Sequence, residues 1–177
     1  MFACEAVDLD FLVRAPIRLR ATVSVGRPPS EVFAALARDP ANWGEFFPGF
    51  DSSGRWQTPR PHGVGSRYTQ RFIGLTIEES VLVWDEGARL AFRVVGTTAP
   101  VFHAWVEDYH FESDGNDGTL LRVAIGGKGR LAFKLATPIL PRAFGLLMVA
   151  EHPTLGRRPL LPPYLSLGVG DARDEFS

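Results

Sequence analysis

At 177 residues, with 45% hydrophobic and 22% charged side chains, the chain is long enough to bury a sizeable core, and a single domain over 1–177 is expected. A formal net charge of −1 leaves no electrostatic footprint for nucleic acid. Cys4 is the only cysteine, which excludes an intrachain disulfide and thiolate metal clusters.

Residues 1–16 show no clear period and read as a peripheral, partly disordered extension. Acidic residues stand where a secretory signal has basic ones, and no apolar core follows, so a soluble cytoplasmic protein with no membrane span is expected. A nucleophilic Cys4 in so frayed a terminus is not favoured. Residues 17–25 then alternate: Ile17, Leu19, Ala21, Val23 and Val25 against Arg18, Arg20, Thr22 and Ser24, a half-buried strand. Gly26 to Pro29 ends it, and Ser30 is the expected N-cap of a short helix with Val32, Phe33 and Leu36 on one stripe. Asp39 followed by Pro40 predicts a second short helix through Trp43 and Phe46, closed by Pro48 and Gly49.

From 50 to 127 the chain reads as antiparallel strands. A weak strand over 50–58 is followed by the loop 59–63, then by strands over 66–73, 76–84, 89–97, 102–113 and 119–127. The turn-rich runs 85–87 and 114–118 suit hairpins. Gly126 to Gly129 lacks the spacing of a phosphate loop and reads as a flexible link out of the last strand.

The stretch 136–152 organises the rest. From Ala143 to Ala150 it has no polar side chain, and its Leu, Met, Ala and Phe content predicts a helix rather than a strand. Either Pro141 sits in the first turn or a kinked helix begins near Leu131. It is too short for a bilayer, which needs about 20 apolar residues, so it requires a concave protein surface. Gly145 costs it roughly 1 kcal/mol relative to Ala and would let a backbone or ligand come close. Pro153 and Gly156 stop it, and 157–177, rich in proline and glycine, reads as a second peripheral extension. The fold class is therefore α+β: a curved antiparallel sheet of about six to seven strands around a long C-terminal helix, with two short helices after the first strand.

This order, together with Pro29-Ser30-Glu31-Val32-Phe33, Asp39-Pro40 with Trp43 and Pro48-Gly49, Gly63 to Ser66, Trp84 to Phe92, Gly118-Thr119 and the closing helix with Glu151, resembles the SRPBCC superfamily of START-like, helix-grip proteins. The nearest group is the polyketide cyclase/dehydrase and lipid-transport branch. The resemblance spans about 17–155 and implies a deep cavity between sheet and C-terminal helix that holds an apolar small molecule. That superfamily includes carriers, hormone receptors and cyclases, so membership does not fix the chemistry. No inserted Cys/His cluster of the Rieske type is present, which sets aside its oxygenase branch.

Strand parity nominates the lining. Tyr68, Gln70 and Phe72 oppose Arg67, Thr69 and Arg71; Leu90, Phe92 and Val94 oppose Arg89 and Arg93; Leu121, Val123 and Ile125 oppose Arg122. The strand at 102–113 carries His103, Trp105, Glu107, Tyr109 and Phe111 on one face, taken as inward. Ile77, Glu79, Val81 and Val83 are the inward set of 76–84. With Phe144 and Met148 from the helix, these give aromatic walls and a few polar points, the mixture a small-molecule pocket needs. The expected function is to bind or carry an apolar molecule such as a lipid, polyketide or aromatic metabolite. The alternative is a polyketide cyclase or dehydratase in which a buried Glu107 is the general acid or base and Tyr109 donates to an oxyanion. A protein interaction module is the third class. No metal or other cofactor is expected: Asp108 and His110 share a face, but two ligands without a third make a poor site. A homodimer is left open beside a monomer.

Overall fold

The computed structural model describes residues 1–130 of the chain. Alternation from Ile17 onward produces strand β2 (Ile17–Val25), and the later alternating runs become β4 (Arg67–Phe72), β5 (Leu75–Asp85), β6 (Arg89–Thr97), β7 (Phe102–Ser113) and β8 (Thr119–Gly129). With the short β1 (Phe2–Ala3) and β3 (Arg55–Trp56), they form one eight-stranded sheet in the order β2-β8-β7-β6-β5-β4-β3, every pair antiparallel. The long helix expected over 136–152, and the tail after it, lie outside the described residues.

Two short helices follow β2 as expected, with one correction. Helix α2 (Pro29–Ala37) begins at Pro29 and its cap position is Pro28, so Ser30 lies inside the first turn and is not the N-cap. Proline there sets φ for the helix and its missing N–H costs nothing. Asp39 does cap the next turn: its side chain accepts from the Ala41 amide, and Pro40–Asn42 forms a 3-10 turn that runs into α3 (Trp43–Phe46). Val32, Phe33, Leu36, Trp43 and Phe46 are buried against the inner face of the sheet, where Phe33 meets the ring edges of Trp84 at 5.5 Å and Phe111 at 5.4 Å. The strand expected over 50–58 shrinks to Arg55–Trp56, with Phe50 bridging Phe72 alone.

The N-terminal extension is ordered. The ladder between β6 and β7 stops at Arg93 and Val106, and β1 enters the gap, pairing Phe2 with Thr97 and Ala3 with Gly96. The Cys4 amide then donates to Val95 and the Glu5 amide to His103. Cys4 is thereby half-buried, and burial pushes its thiol pKa up. Helix α1 (Phe11–Arg14) lies across the outer face, where Val7, Phe11 and Ala15 pack on Ala104 and Val106. Both faces of β7 are therefore covered. Gly126 and Gly127, expected to be a flexible link, belong to β8 for the same reason. A side chain at Gly126 would strike Leu12 and Ala15 on the outside, and one at Gly127 would strike the Trp105 ring inside.

A bulge corrects one parity assignment. Between Val81 and Val83 the β5–β6 register shifts, so Val83 pairs with Ala91 on the outer face and Trp84 with the inward Leu90. The extra residue in the bulged strand reverses which side chains face in beyond it. Ile77, Glu79 and Val81 keep the inward positions expected of them.

Candidate functional site

The inner face of five adjacent strands brings most of the nominated residues together. Register places Tyr68 opposite Glu79, Phe92 opposite Glu107, and Tyr109 opposite Val123. Phe92 is the centre of a ring cluster: it stacks on Tyr109 at 5.6 Å and meets Tyr68 edge-on at 5.8 Å. Trp43 covers both rings, 5.7 Å from Phe92 and 5.7 Å from Tyr109. Trp43 has its indole N–H held by the Leu36 carbonyl at 2.9 Å; the sequence marks it as a helix residue and as part of the family resemblance, but no local pattern says that α3 turns it onto β6 and β7.

Polar groups sit among these rings. Glu107 is half-buried and accepts two hydrogen bonds, from the Trp105 indole at 2.7 Å and the Tyr109 hydroxyl at 2.6 Å. Tyr68, Gln70 and Glu79 are buried, with Gln70 only 2% and Glu79 5% exposed. Yet both amide atoms of Gln70 have no hydrogen-bond partner among the described residues, and the Tyr68 hydroxyl and Oε2 of Glu79 bear on one another without closing a full hydrogen bond. Leaving a buried polar group unpaired costs about 1–3 kcal/mol, so a cluster of four atoms without full hydrogen bonds on adjoining strands is an expensive arrangement to keep.

Burial shifts every titratable group here upward. It raises the Glu79 carboxyl well above the ordinary range, and the charge of Glu107 raises it further, while Tyr68 offsets part of the rise. Burial also raises Glu107, but the hydrogen bonds from Tyr109 and Trp105 favour its charged form and oppose the shift. Burial and the two carboxylates push Tyr68 and Tyr109 well up, so both stay phenols. Burial thus favours the protonated form of both carboxyls, and only Glu107 has two hydrogen bonds that favour the charged form.

The remaining candidates are placed as follows. Phe72 is half-buried towards the sheet edge and packs on Phe50 at 4.9 Å. Val123 is buried beside Tyr109. Trp105 packs on Phe102 at 4.6 Å as well as serving Glu107. Phe144 and Met148 lie outside the described residues. A small recess with a cavity volume of about 10 Å³, room for about one water, lies at the other side of Tyr68, between Leu36, Trp43, Trp56, Val81 and Trp84. At its rim His62 stacks on Trp56 at 4.0 Å. Asp108 and His110, 3.1 Å apart, belong to the outer face with Arg89, which grips Asp108 through two hydrogen bonds of 2.9 and 2.8 Å. Among the described residues no three His, Cys, Asp or Glu side chains converge as metal ligands, and no helix is long and apolar enough to cross a membrane.

Comparison with known proteins agrees with the topology. A family model described as polyketide cyclase / dehydrase and lipid transport matches residues 16–151. An uncharacterized protein of Mycobacterium tuberculosis is 31% identical over 149 residues, covering 81% of each chain. Among solved structures, a START superfamily protein from Mycobacterium smegmatis superposes with a TM-score of 0.58 at 16% identity, over 74% of this chain and 94% of that one. The Zhui aromatase/cyclase from a Streptomyces species gives a TM-score of 0.58 at 17% identity, over 71% of this chain and 82% of that one. At such identities the two structures speak for a shared fold. The family match, over most of its length, places this chain in the polyketide cyclase/dehydrase and lipid transport family.

Proposed function

We propose that the protein binds an apolar small molecule against the inner face of the sheet, with the ring cluster around Phe92 supplying apolar contact and Tyr68, Gln70 and Glu79 orienting the guest. The observation that carries this reading is the set of buried polar atoms without full hydrogen bonds on that face. A sheet evolved only as core would fill those positions with apolar side chains, whereas a binding surface holds donors and acceptors ready for a ligand. The family description, which joins lipid transport to cyclisation, supports the same class of guest. Native mass spectrometry, backed by organic extraction of the purified protein, tests it. The expected result is a co-purifying apolar molecule or stoichiometric uptake of an added lipid or aromatic polyketide. A protein that carries nothing and takes up nothing would instead be an interaction module.

The second reading is catalysis, favoured by one feature: Glu107 has a raised pKa and a hydroxyl donor on the same face. In a cyclisation Glu107 would remove a proton from the carbon between two carbonyls, and the resulting enolate would attack a third carbonyl of the same chain. The Tyr109 hydroxyl donates to Glu107 here, so serving an oxyanion would require it to leave the carboxylate. Glu107→Gln keeps the shape and removes the base. Undiminished turnover of a poly-β-ketone by that variant would take Glu107 out of the mechanism.

A further inference from the structure

Among the described residues, charge on the inner face is one-sided. Glu79 on β5 and Glu107 on β7 flank the Phe92 strand, and their charges reach one another. The other groups that bear on them are Tyr68 from β4 and Tyr109 and Trp105 from β7, with no basic side chain among them. The arginines of these strands whose partners are defined work elsewhere: Arg67 with Glu78, Arg71 with Asp51, Arg89 with Asp108, and Arg93 on the Val7 carbonyl. Three of the buried atoms without full hydrogen bonds, the Tyr68 oxygen, Gln70 Oε1 and Glu79 Oε2, can each accept one. An ammonium group has three donors and no acceptor, and it brings the charge this face lacks.

We propose that the guest of this site carries a protonated amine on an apolar body, with the amine seated between Glu79, Gln70 and Tyr68 and within the field of Glu107. The inference rests on the ligand-binding reading above and names its ligand class. A neutral hydroxyl would satisfy one or two of the open acceptors and leave the charge uncompensated. A carboxylate guest would bring a second negative charge next to Glu107 and is disfavoured. Because burial makes Glu79 hold its proton, ammonium and proton compete for the same carboxyl: amine affinity rises with pH until the amine itself loses its charge, and binding releases a proton.

The test uses octylamine, octanol and octanoate, one apolar body with three head groups, titrated calorimetrically into the purified full chain. Octylamine should bind about tenfold tighter than octanol at neutral pH, the scale of one charge-assisted hydrogen bond, and octanoate more weakly than either. Glu79→Gln should abolish most of the preference for octylamine over octanol, and a cooperative urea unfolding transition followed by tryptophan fluorescence shows that the variant is folded. Between about pH 6 and about pH 8 the octylamine constant should rise while that of octanol does not. Equal affinities for amine and alcohol, or tightest binding of octanoate, would overturn the inference and leave the apolar-guest reading standing. If none of the three binds, the ligand-binding reading itself fails and the inference falls with it.

Discussion

Glu79→Gln also makes a prediction for stability, independent of any ligand. Glu79 is 5% exposed, and burial together with Glu107 raises its pKa in the folded chain well above its ordinary value of 4.5. A carboxyl whose pKa rises on folding contributes stability that is fully present below the unfolded value and is lost as pH climbs through the folded one. Within that window the folded chain holds up to one proton more than the unfolded chain at this site. Stability then falls by up to about 1.4 kcal/mol per pH unit, the free-energy equivalent of one pKa unit. Gln has no proton to lose, so the variant should lack this slope. Urea unfolding of both proteins, followed by tryptophan fluorescence at intervals from about pH 5 to about pH 8, measures the difference. Near pH 4.5 the two should be similar; above it the variant should become progressively the more stable, levelling off once the wild-type carboxyl has ionised. A difference that stays constant across the range would refute the reasoning, because it would mean that Glu79 titrates alike in both states.

Two further predictions concern packing and backbone. Phe92, 1% exposed and in ring contact with Trp43, Tyr68 and Tyr109, should cost about 3–5 kcal/mol when replaced in Phe92→Ala, read as a lowered denaturation midpoint; a loss below about 1 kcal/mol would mean that the cluster is not packed as described. Ile73, 78% exposed at the tip of the β4–β5 hairpin with φ of 46°, spends a β-branched side chain on a left-handed turn position. Ile73→Gly should therefore raise thermal stability, by about 1 kcal/mol, and a drop of that size would show that the side chain is needed where it stands.

Strand order and spacing were legible because each strand pairs with a sequence neighbour through a turn whose residues announce it, as at Gly87 between β5 and β6 and at 114–118, where Asp114 holds the amides of Asn116 and Gly118. Faces were legible wherever an arginine alternated with an apolar residue, as with Arg89 and Leu90 or Arg122 and Leu121. On β7 the alternation fades, since Ala104 and Val106 are as buried as Trp105 and Tyr109. The reason is the N-terminal segment over the outer face, which carries no periodic signal because a two-residue strand and a four-residue helix are too short to have one.

What the sequence determined by itself is whatever depends on near neighbours: the alternation that makes a strand, the Asp39-Pro40 turn, the hairpins, and the apolar character of the chain that made a family resemblance readable. Tertiary structure decided which distant groups share a neighbourhood. Glu79 and Glu107 are ordinary acidic residues until the β5–β6–β7 register sets them on either side of β6, opposite Val94 and Phe92, and Val83 is inward by parity until one bulge turns it out. Hydrogen-bond partners, burial and pKa are properties of surroundings, and surroundings are assembled by long-range pairing that no local pattern encodes.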